Sequence, residues 1–387
     1  MRSRIGSFVL VSLLVLVSAF AQAQSGNASS SIVRPLASVP ASRLAHLRRG
    51  INASEWFAQV VPPATYGKEH YATHTTERDI ALIASLGFDH VRLSVNPSPV
   101  FPGWGSRDEY FASLDGAVKM ILDHGLAVVI DIHPDSDFKA RLADDGFVER
   151  FTNFWRVLAQ RYSSWDAERV FFEILNEPEI GDRYRWLGIQ TKLAGAIRES
   201  APQHTIITAG ARYSADDEMV FMEPLADGNV IYNFHFYEPH TFTHQGAGWG
   251  SPWWIWVKGL GYPSSVEDAN RVAAGVPDEL GKLWVMRYGR DHWDAGRIDA
   301  DINDVAEWAA RRHLVVTCNE FGAYRRFAKP EDRARWITDV RTALERHGIG
   351  WTMWDYAGSF GVVTKTNGVA EPDAVTVQAL GLKMPGN

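Results

Sequence analysis

From Arg49 onward, short apolar runs alternate with helical patterns, and this alternation limits the folds open to the chain more than any other feature. The runs fall at residues 50–52, 89–95, 126–132, 170–176, 205–208, 230–234, 314–319 and 350–354. Residues 126–132 are almost wholly apolar, as a strand buried on both faces should be. Helical patterns follow at 76–86, 110–123, 145–162, 183–200, 216–225, 301–312, 331–347 and 374–382, with Gly87 and Gly125 as stop signals for the first two. Strand–helix alternation predicts an α/β fold with a parallel sheet, and eight such pairs predict a single (β/α)8 TIM barrel. No Gly-x-Gly-x-x-Gly follows the first run, which disfavours a dinucleotide-binding fold.

One connection breaks the rhythm. Residues 238–299, after the sixth strand, are longer than an ordinary βα loop and read as irregular. They hold Trp249, Trp253, Trp254, Trp256, Trp284 and Trp293 out of fifteen Trp in the chain. A Trp ring is a broad apolar face with one polar edge, which suits the flat C–H faces of sugars. This Trp-rich insertion is expected to build substrate subsites, to wall off one end of a cleft, or to form a small satellite core.

The N-terminus reads as a secretory signal peptide over residues 1–23. Arg2 and Arg4 form its basic region, residues 8–20 its apolar stretch, and Ala21-Gln22-Ala23 its cleavage site. The apolar stretch is short for a membrane span, so no membrane association is expected after cleavage. Residues 24–45 are rich in Ser and Ala and read as a flexible leader, leaving 46–387 as the barrel domain. Secretion or a periplasmic location follows as an expectation, as does a monomer. The net charge of −7, with Lys and Arg scattered, argues against a nucleic-acid partner. Cys318 is the only cysteine; it reads as a buried, inert thiol. No Cys/His spacing suggests zinc, and no cofactor is expected.

The chemistry is expected at the C-terminal ends of the strands, where a barrel of this kind places its active site. Arg92 and Asn96 lie near the end of the second run, and Asp131 and His133 near that of the third. Asn176 and Glu177 close the fourth, His235 and Tyr237 the sixth, Glu320 the seventh and Trp354 the eighth. Glu177 and Glu320 are each the first charged residue beyond a strand's apolar end. Two carboxylates facing each other across a cleft are what glycosidic bond cleavage needs. Glu173, inside the fourth strand, reads as structural, and Glu179 and Glu238 as loop charges. A metal-dependent reading through Asp131, His133 and His235 lacks a His-x-His pair.

The same residues carry a family resemblance. Asn176-Glu177-Pro178, His235-Phe236-Tyr237, Asn319-Glu320-Phe321-Gly322 and Trp351-Thr352-Met353-Trp354 occur in that order. Together with Arg92 and His133, this series resembles glycoside hydrolase family 5, the retaining cellulase and mannanase family, over roughly residues 48–382. The resemblance implies that Glu177 is the general acid/base and Glu320 the nucleophile, with their carboxyl groups about 5–5.5 Å apart. It implies that Arg92 and Tyr237 stabilise the Glu320 anion, while burial and the Glu320 charge keep the proton on Glu177. Asn176 and His133 would contact the sugar, His235 would orient Glu177, and Trp354 would floor the −1 subsite. Many members have a second His after the third-strand histidine; here Pro134 follows His133, so one sugar contact is expected to differ.

The expected activity is a secreted retaining endo-β-1,4-glucanase acting on a β-linked polysaccharide or oligosaccharide. A β-mannanase or glucomannanase, and an exo-β-glucosidase, are the alternatives within the family. A polysaccharide-binding protein without turnover is the alternative outside it.

Overall fold

The computed structural model describes residues 38–101 and 107–386. Eight parallel strands close into a barrel in sequence order: β1 (Arg49–Ala53), β2 (His90–Val95), β3 (Ala127–Ile132), β4 (Val170–Glu173), β5 (Ile206–Ala209), β6 (Val230–Phe236), β7 (Val315–Phe321) and β8 (Gly350–Met353). β1 pairs with both β2 and β8, so the sheet has no open edge. The expected (β/α)8 TIM barrel is present.

Strand alternation sorts the interior into layers, because neighbouring side chains point to opposite faces. Ala127, Val129, Phe171, Ile207 and Ile231 form an apolar plug of their own, separate from the larger core that packs the outer face of the strands against the helices. Two residues further along the same faces come Asp131, Glu173 and Asn233, all buried, so the polar layer lies directly above the plug.

Val39, Leu44 and Leu47 close the plug from the N-terminal side. The flexible leader expected up to residue 45 therefore ends earlier. Ala41–Ala45 is a helix whose buried Arg43 bonds Glu168 and Thr205. The expected signal peptide and residues 24–37 of the expected leader lie outside the described residues.

Gly50 shows how tightly the barrel closes. A Cβ there would stand 2.1 Å from the His90 ring, which reaches across to the Thr352 hydroxyl at 2.9 Å. Only glycine leaves room for that ring.

Most boundaries match the sequence reading, with three differences. β4 stops at Glu173, so Asn176 and Glu177 leave the strand in a turn. The helix expected over 216–225 is one turn, Asp216–Met219. The segment read as irregular over 238–299 is partly helical, with His240–Thr243, Val266–Ala273 and Glu279–Arg290, and the following barrel helix begins at Ala295. Its longer helices meet closely because Gly289 has no side chain: a Cβ there would lie 2.5 Å from that of Ala269. Trp253, Trp254 and Trp293 are buried in a core continuous with the one between strands and helices, whereas Trp249, Trp256 and Trp284 keep more than a third of their surface.

Candidate active site

A cleft of about 830 Å³ opens at the C-terminal mouth of the barrel. His133, Asn176, Glu177, Tyr237, Glu320 and Trp354 line it, so six of the eight expected residues share one surface. Arg92 and His235 lie immediately beneath, fully or almost fully buried.

Arg92 organises the floor. It sits mid-strand on β2 with its side chain inside the barrel, rather than at the strand end. Its Nε and Nη2 donate to the two carboxylate oxygens of Glu173 at 2.9 and 2.8 Å. Nη1 donates to Glu320 Oε1 at 2.7 Å and to Asn52 Oδ1 at 2.8 Å, and Nη2 also reaches Asn176 Oδ1 at 2.9 Å. Asp131 lies 3.0 Å from Nη2. Burial alone would lower the guanidinium's pKa, but Asp131, Glu173 and Glu320 outweigh it and hold it well above its ordinary range. With three buried carboxylates around one cation, burial pushes Asp131 up to about 7 against the pull of Arg92.

Glu320 reaches the cleft through a bulge. The β6–β7 register shifts after Phe234, and the β7–β8 register shifts between Cys318 and Phe321. Strict alternation would turn Asn319 and Glu320 to opposite faces. The irregularity lets both face inward: Asn319 Nδ2 donates to Glu173 Oε2 at 2.7 Å, and Glu320 meets Arg92. The Tyr237 hydroxyl donates to the second Glu320 oxygen at 2.9 Å. Burial and the Glu320 charge hold the Tyr237 pKa well above its ordinary value, so the phenol keeps the proton it donates. The Cys318 side chain is fully buried, and burial raises its thiol pKa well above the ordinary value, as expected for an inert group.

Glu177 stands above this floor with a positive φ of 43°, unusual for a residue with a side chain. Its Oε1 is 2.9 Å from His235 Nδ1, which is also 3.5 Å from Glu320 Oε2. Burial lowers the His235 pKa to about 4, so the ring is neutral near pH 7. The Asn233 amide faces Nε2 at 3.4 Å, which assigns the ring proton to Nδ1, where it points at the carboxylates. His133 is arranged in the same way. Its Nδ1 donates to Asp131 Oδ2 at 2.8 Å and its Nε2 accepts from Asn176 Nδ2 at 3.1 Å. Burial lowers its pKa to about 3. The His133 ring stacks 5.6 Å from Trp354, with an interplanar angle of 18°.

Ligand atoms of Glu177, His235 and Glu320 all lie within 4.8 Å of one another. That spacing suits a cation, but the Glu320 oxygens are already held by Arg92 and Tyr237, and the His235 proton occupies Nδ1. The metal reading through Asp131 also loses its ligand, because Asp131 is committed to Arg92 and His133.

Several contributors were not singled out from sequence. Asn52, Asn233 and Asn319 complete the bonds around Arg92 and Glu173, and Asn233 could have been found from its place two residues before His235 on the same strand face. Arg212, Tyr213, His240 and His244 line the cleft, as do Trp249 and Trp254 from the insertion. The insertion thus forms one wall of the cleft, while its buried Trp join the main core and form no separate satellite. Glu179 pairs with Lys139 and Glu238 with His240, consistent with charges outside the central pair.

A family model described as cellulase (glycosyl hydrolase family 5) matches residues 51–359. Endoglucanase C of Acetivibrio thermocellus is 30% identical over 320 residues, covering 80% of this chain and 91% of that protein. Cellodextrinase A of Ruminococcus flavefaciens is 35% identical over 314 residues, covering 78% of this chain and 83% of that one. Among solved structures, endoglucanase Cel5A of Thermotoga maritima superposes with a TM-score of 0.70 at 26% identity, covering 87% of this chain and 98% of that chain.

Proposed function

The chain belongs to the cellulase family, glycosyl hydrolase family 5, and on that premise we propose that Glu320 is the nucleophile and Glu177 the acid/base of a retaining β-1,4-glucanase. The observation that carries this reading is the approach of the two carboxylates, with oxygens within 4.8 Å. Inverting enzymes need about 6.5–9.5 Å between their carboxyl groups to admit a water, whereas retaining ones hold them about 5–5.5 Å apart.

The residues divide the work. Arg92 and Tyr237 each hold one oxygen of Glu320, fixing the anion for attack at the anomeric carbon. Glu177 protonates the departing oxygen, and its carboxylate then takes a proton from the water that hydrolyses the glycosyl-enzyme. His235, neutral and donating through Nδ1, orients Glu177. Asn176 meets a hydroxyl of the sugar beside Glu320, His133 orients Asn176 through Nε2, and Trp354 forms the floor under the sugar.

The enzyme is a glycoside hydrolase, and β-glucan is its substrate class. Endo action is the leading reading, supported by relatives named endoglucanase. A glucomannan-cleaving activity is the second reading, supported by the capture of mannotriose in a Thermotoga maritima Cel5A structure, 26% identical. No helix among the described residues is long and apolar enough to cross a membrane. Export through the N-terminal signal and action as a monomer complete the proposal.

Reducing-sugar release from carboxymethyl cellulose, mixed-linkage glucan, glucomannan, galactomannan and xylan, with an aryl glucoside assayed beside them, tests the assignment. Release from the glucans with little from galactomannan supports the endo-glucanase. Fast release from galactomannan moves the enzyme to the mannanases, and turnover of aryl glucoside alone points to exo action. Silence on the whole panel contradicts the assignment.

A further inference from the structure

A second cavity, of about 660 Å³, lies outside the cleft and shares no lining residue with it. The segment after β6 divides the two: His240 lines the cleft, whereas Glu238, Pro239 and Thr241 line the cavity. The other walls come from the single turn Asp216–Met219 and from the helices Glu279–Arg290 and Ala295–Arg312. Three of the cavity's carboxylates are matched. Asp291 pairs with Arg287 and Asp301 with Arg297, both at 3.2 Å, and Glu238 accepts from His240 Nδ1 at 2.9 Å. Asp216, Asp217 and Asp304 have no ion pair with another described residue and accept no hydrogen bond from one.

A group of acids is not by itself a site, but two donors here point to a ligand. Thr241 and Trp293 are each only 7% exposed, yet neither the threonine hydroxyl nor the indole N–H has a hydrogen-bond partner among the described residues. Both residues line the cavity, and neither polar atom is sealed from solvent, so the little surface each keeps opens into it. Buried polar groups are ordinarily paired, so two unpaired ones in one cavity mark where an occupant bonds. That occupant must offer hydrogens to the free carboxylates and a lone pair to the Trp293 N–H, which can only donate. A metal ion offers neither, and no three of the cavity's carboxylates are placed to share one. A protonated amine has no lone pair. A sugar hydroxyl gives and accepts, and Val220, Phe221 and Pro239 supply an apolar border for C–H groups. Asp216 suits the same occupant: burial and the charges of Glu238, Asp217 and Asp301 push its carboxyl up to about 7, so near neutral pH it can donate to a hydroxyl as well as accept from one. We infer that this cavity is a second saccharide site, taking one or two sugar rings of a β-glucan chain or of its products outside the catalytic cleft. The choice of glucose units rests on the β-glucan class given above; the hydrogen-bonding argument stands without it.

The test follows the indole N–H signals of Trp293 and Trp354 by NMR in protein carrying isotope-labelled tryptophan, with Trp293→Phe and Trp354→Phe assigning them. Glu320→Gln is the host, so that no sugar is cleaved, and Trp354 reports on the cleft in the same sample. Cellobiose should shift the Trp293 signal in a saturable way. Thr241→Val should weaken that response by about 3- to 10-fold, the loss of one neutral hydrogen bond. Asp304→Ala, on an exposed helix position, should weaken it by about 10-fold or more, the loss of a charged one. A Trp293 signal that stays still while Trp354 responds overturns the inference and leaves the reading of the cleft intact. A Trp293 signal that answers putrescine or calcium chloride but not cellobiose also overturns it, and makes the cavity a cation site. So does a cellobiose response that neither substitution weakens. A response at Trp293 with none at Trp354 upholds this site and counts against the reading of the cleft instead.

Discussion

Arg92 holds Glu173 through two parallel hydrogen bonds, 2.9 Å from Nε and 2.8 Å from Nη2, with neither side chain exposed to solvent. This pair is the base on which the proposed nucleophile rests, because the third nitrogen of the same guanidinium reaches Glu320. Removing Glu173 leaves a buried cation short of a partner, orphans Asn319 Nδ2 and takes the shorter of two bonds from Asn233 Nδ2. Glu173→Ala is therefore expected to destabilise the fold by about 3–5 kcal/mol, the cost of breaking one side of a buried pair. Urea unfolding at neutral pH measures it. A loss near zero would mean that the floor rearranges freely around Arg92.

The two glutamates should fail differently. Glu320→Gln is expected to lose at least about 10³-fold in turnover on every substrate, since no covalent intermediate forms without it. Glu177→Gln should be severe on oligosaccharides but partly spared on an activated aryl cellobioside, whose phenolate departs without a proton. Added azide, which needs no general base, should speed that residual reaction and yield a glycosyl azide. Identical loss on both substrates with no azide effect would remove the acid/base role from Glu177.

His204 gives a stability prediction with a defined sign. It is 1% exposed, stacked 5.0 Å from Phe172, and neither ring nitrogen has a partner. Burial lowers its pKa from 6.5 to about 4. Between those values the unfolded chain binds the proton and the folded protein does not, so stability falls as the pH drops from 6.5 toward 4. His204→Leu has no such proton. Its stability relative to wild type should improve by about 2 kcal/mol between pH 7 and pH 5. Urea midpoints for both proteins at the two pH values check this, and a pH-independent difference would contradict it.

Metal plays no part in the proposed chemistry, although Glu177, His235 and Glu320 are close enough to share an ion. Turnover after dialysis against excess chelator should match the untreated enzyme. Loss of activity that returns with a divalent cation would transfer the site to a metal mechanism.

The barrel and its central residues were legible because both follow simple periodicities. Apolar runs gave the strands, polar residues at run ends gave Glu177, His235 and Glu320, and Arg92 showed as a charge inside an apolar run. What escaped depends on departures from those periods. The bulge around Glu320 brings consecutive residues to one face, which alternation forbids, so Asn319 went unnoticed as a partner of Glu173. The helices of the insertion were hidden by Gly and Pro near its Trp cluster. Tyr213 lies in a loop whose left-handed backbone carries no glycine to announce it. Glu173 reads as structural from sequence, but its hydrogen bonds reach Arg92, Asn233 and Asn319 on three other strands, and only closure of the barrel assembles them.

The most direct test of the central claim is covalent trapping. The enzyme would be incubated with an activated 2-deoxy-2-fluoro-β-cellobioside, digested and mapped by mass spectrometry. The account predicts one added fluorocellobiosyl group per chain, on the peptide containing Glu320, and none in Glu320→Gln. A label on Glu177, or steady turnover of the natural glucan with inverted anomeric configuration and no label at all, would contradict it.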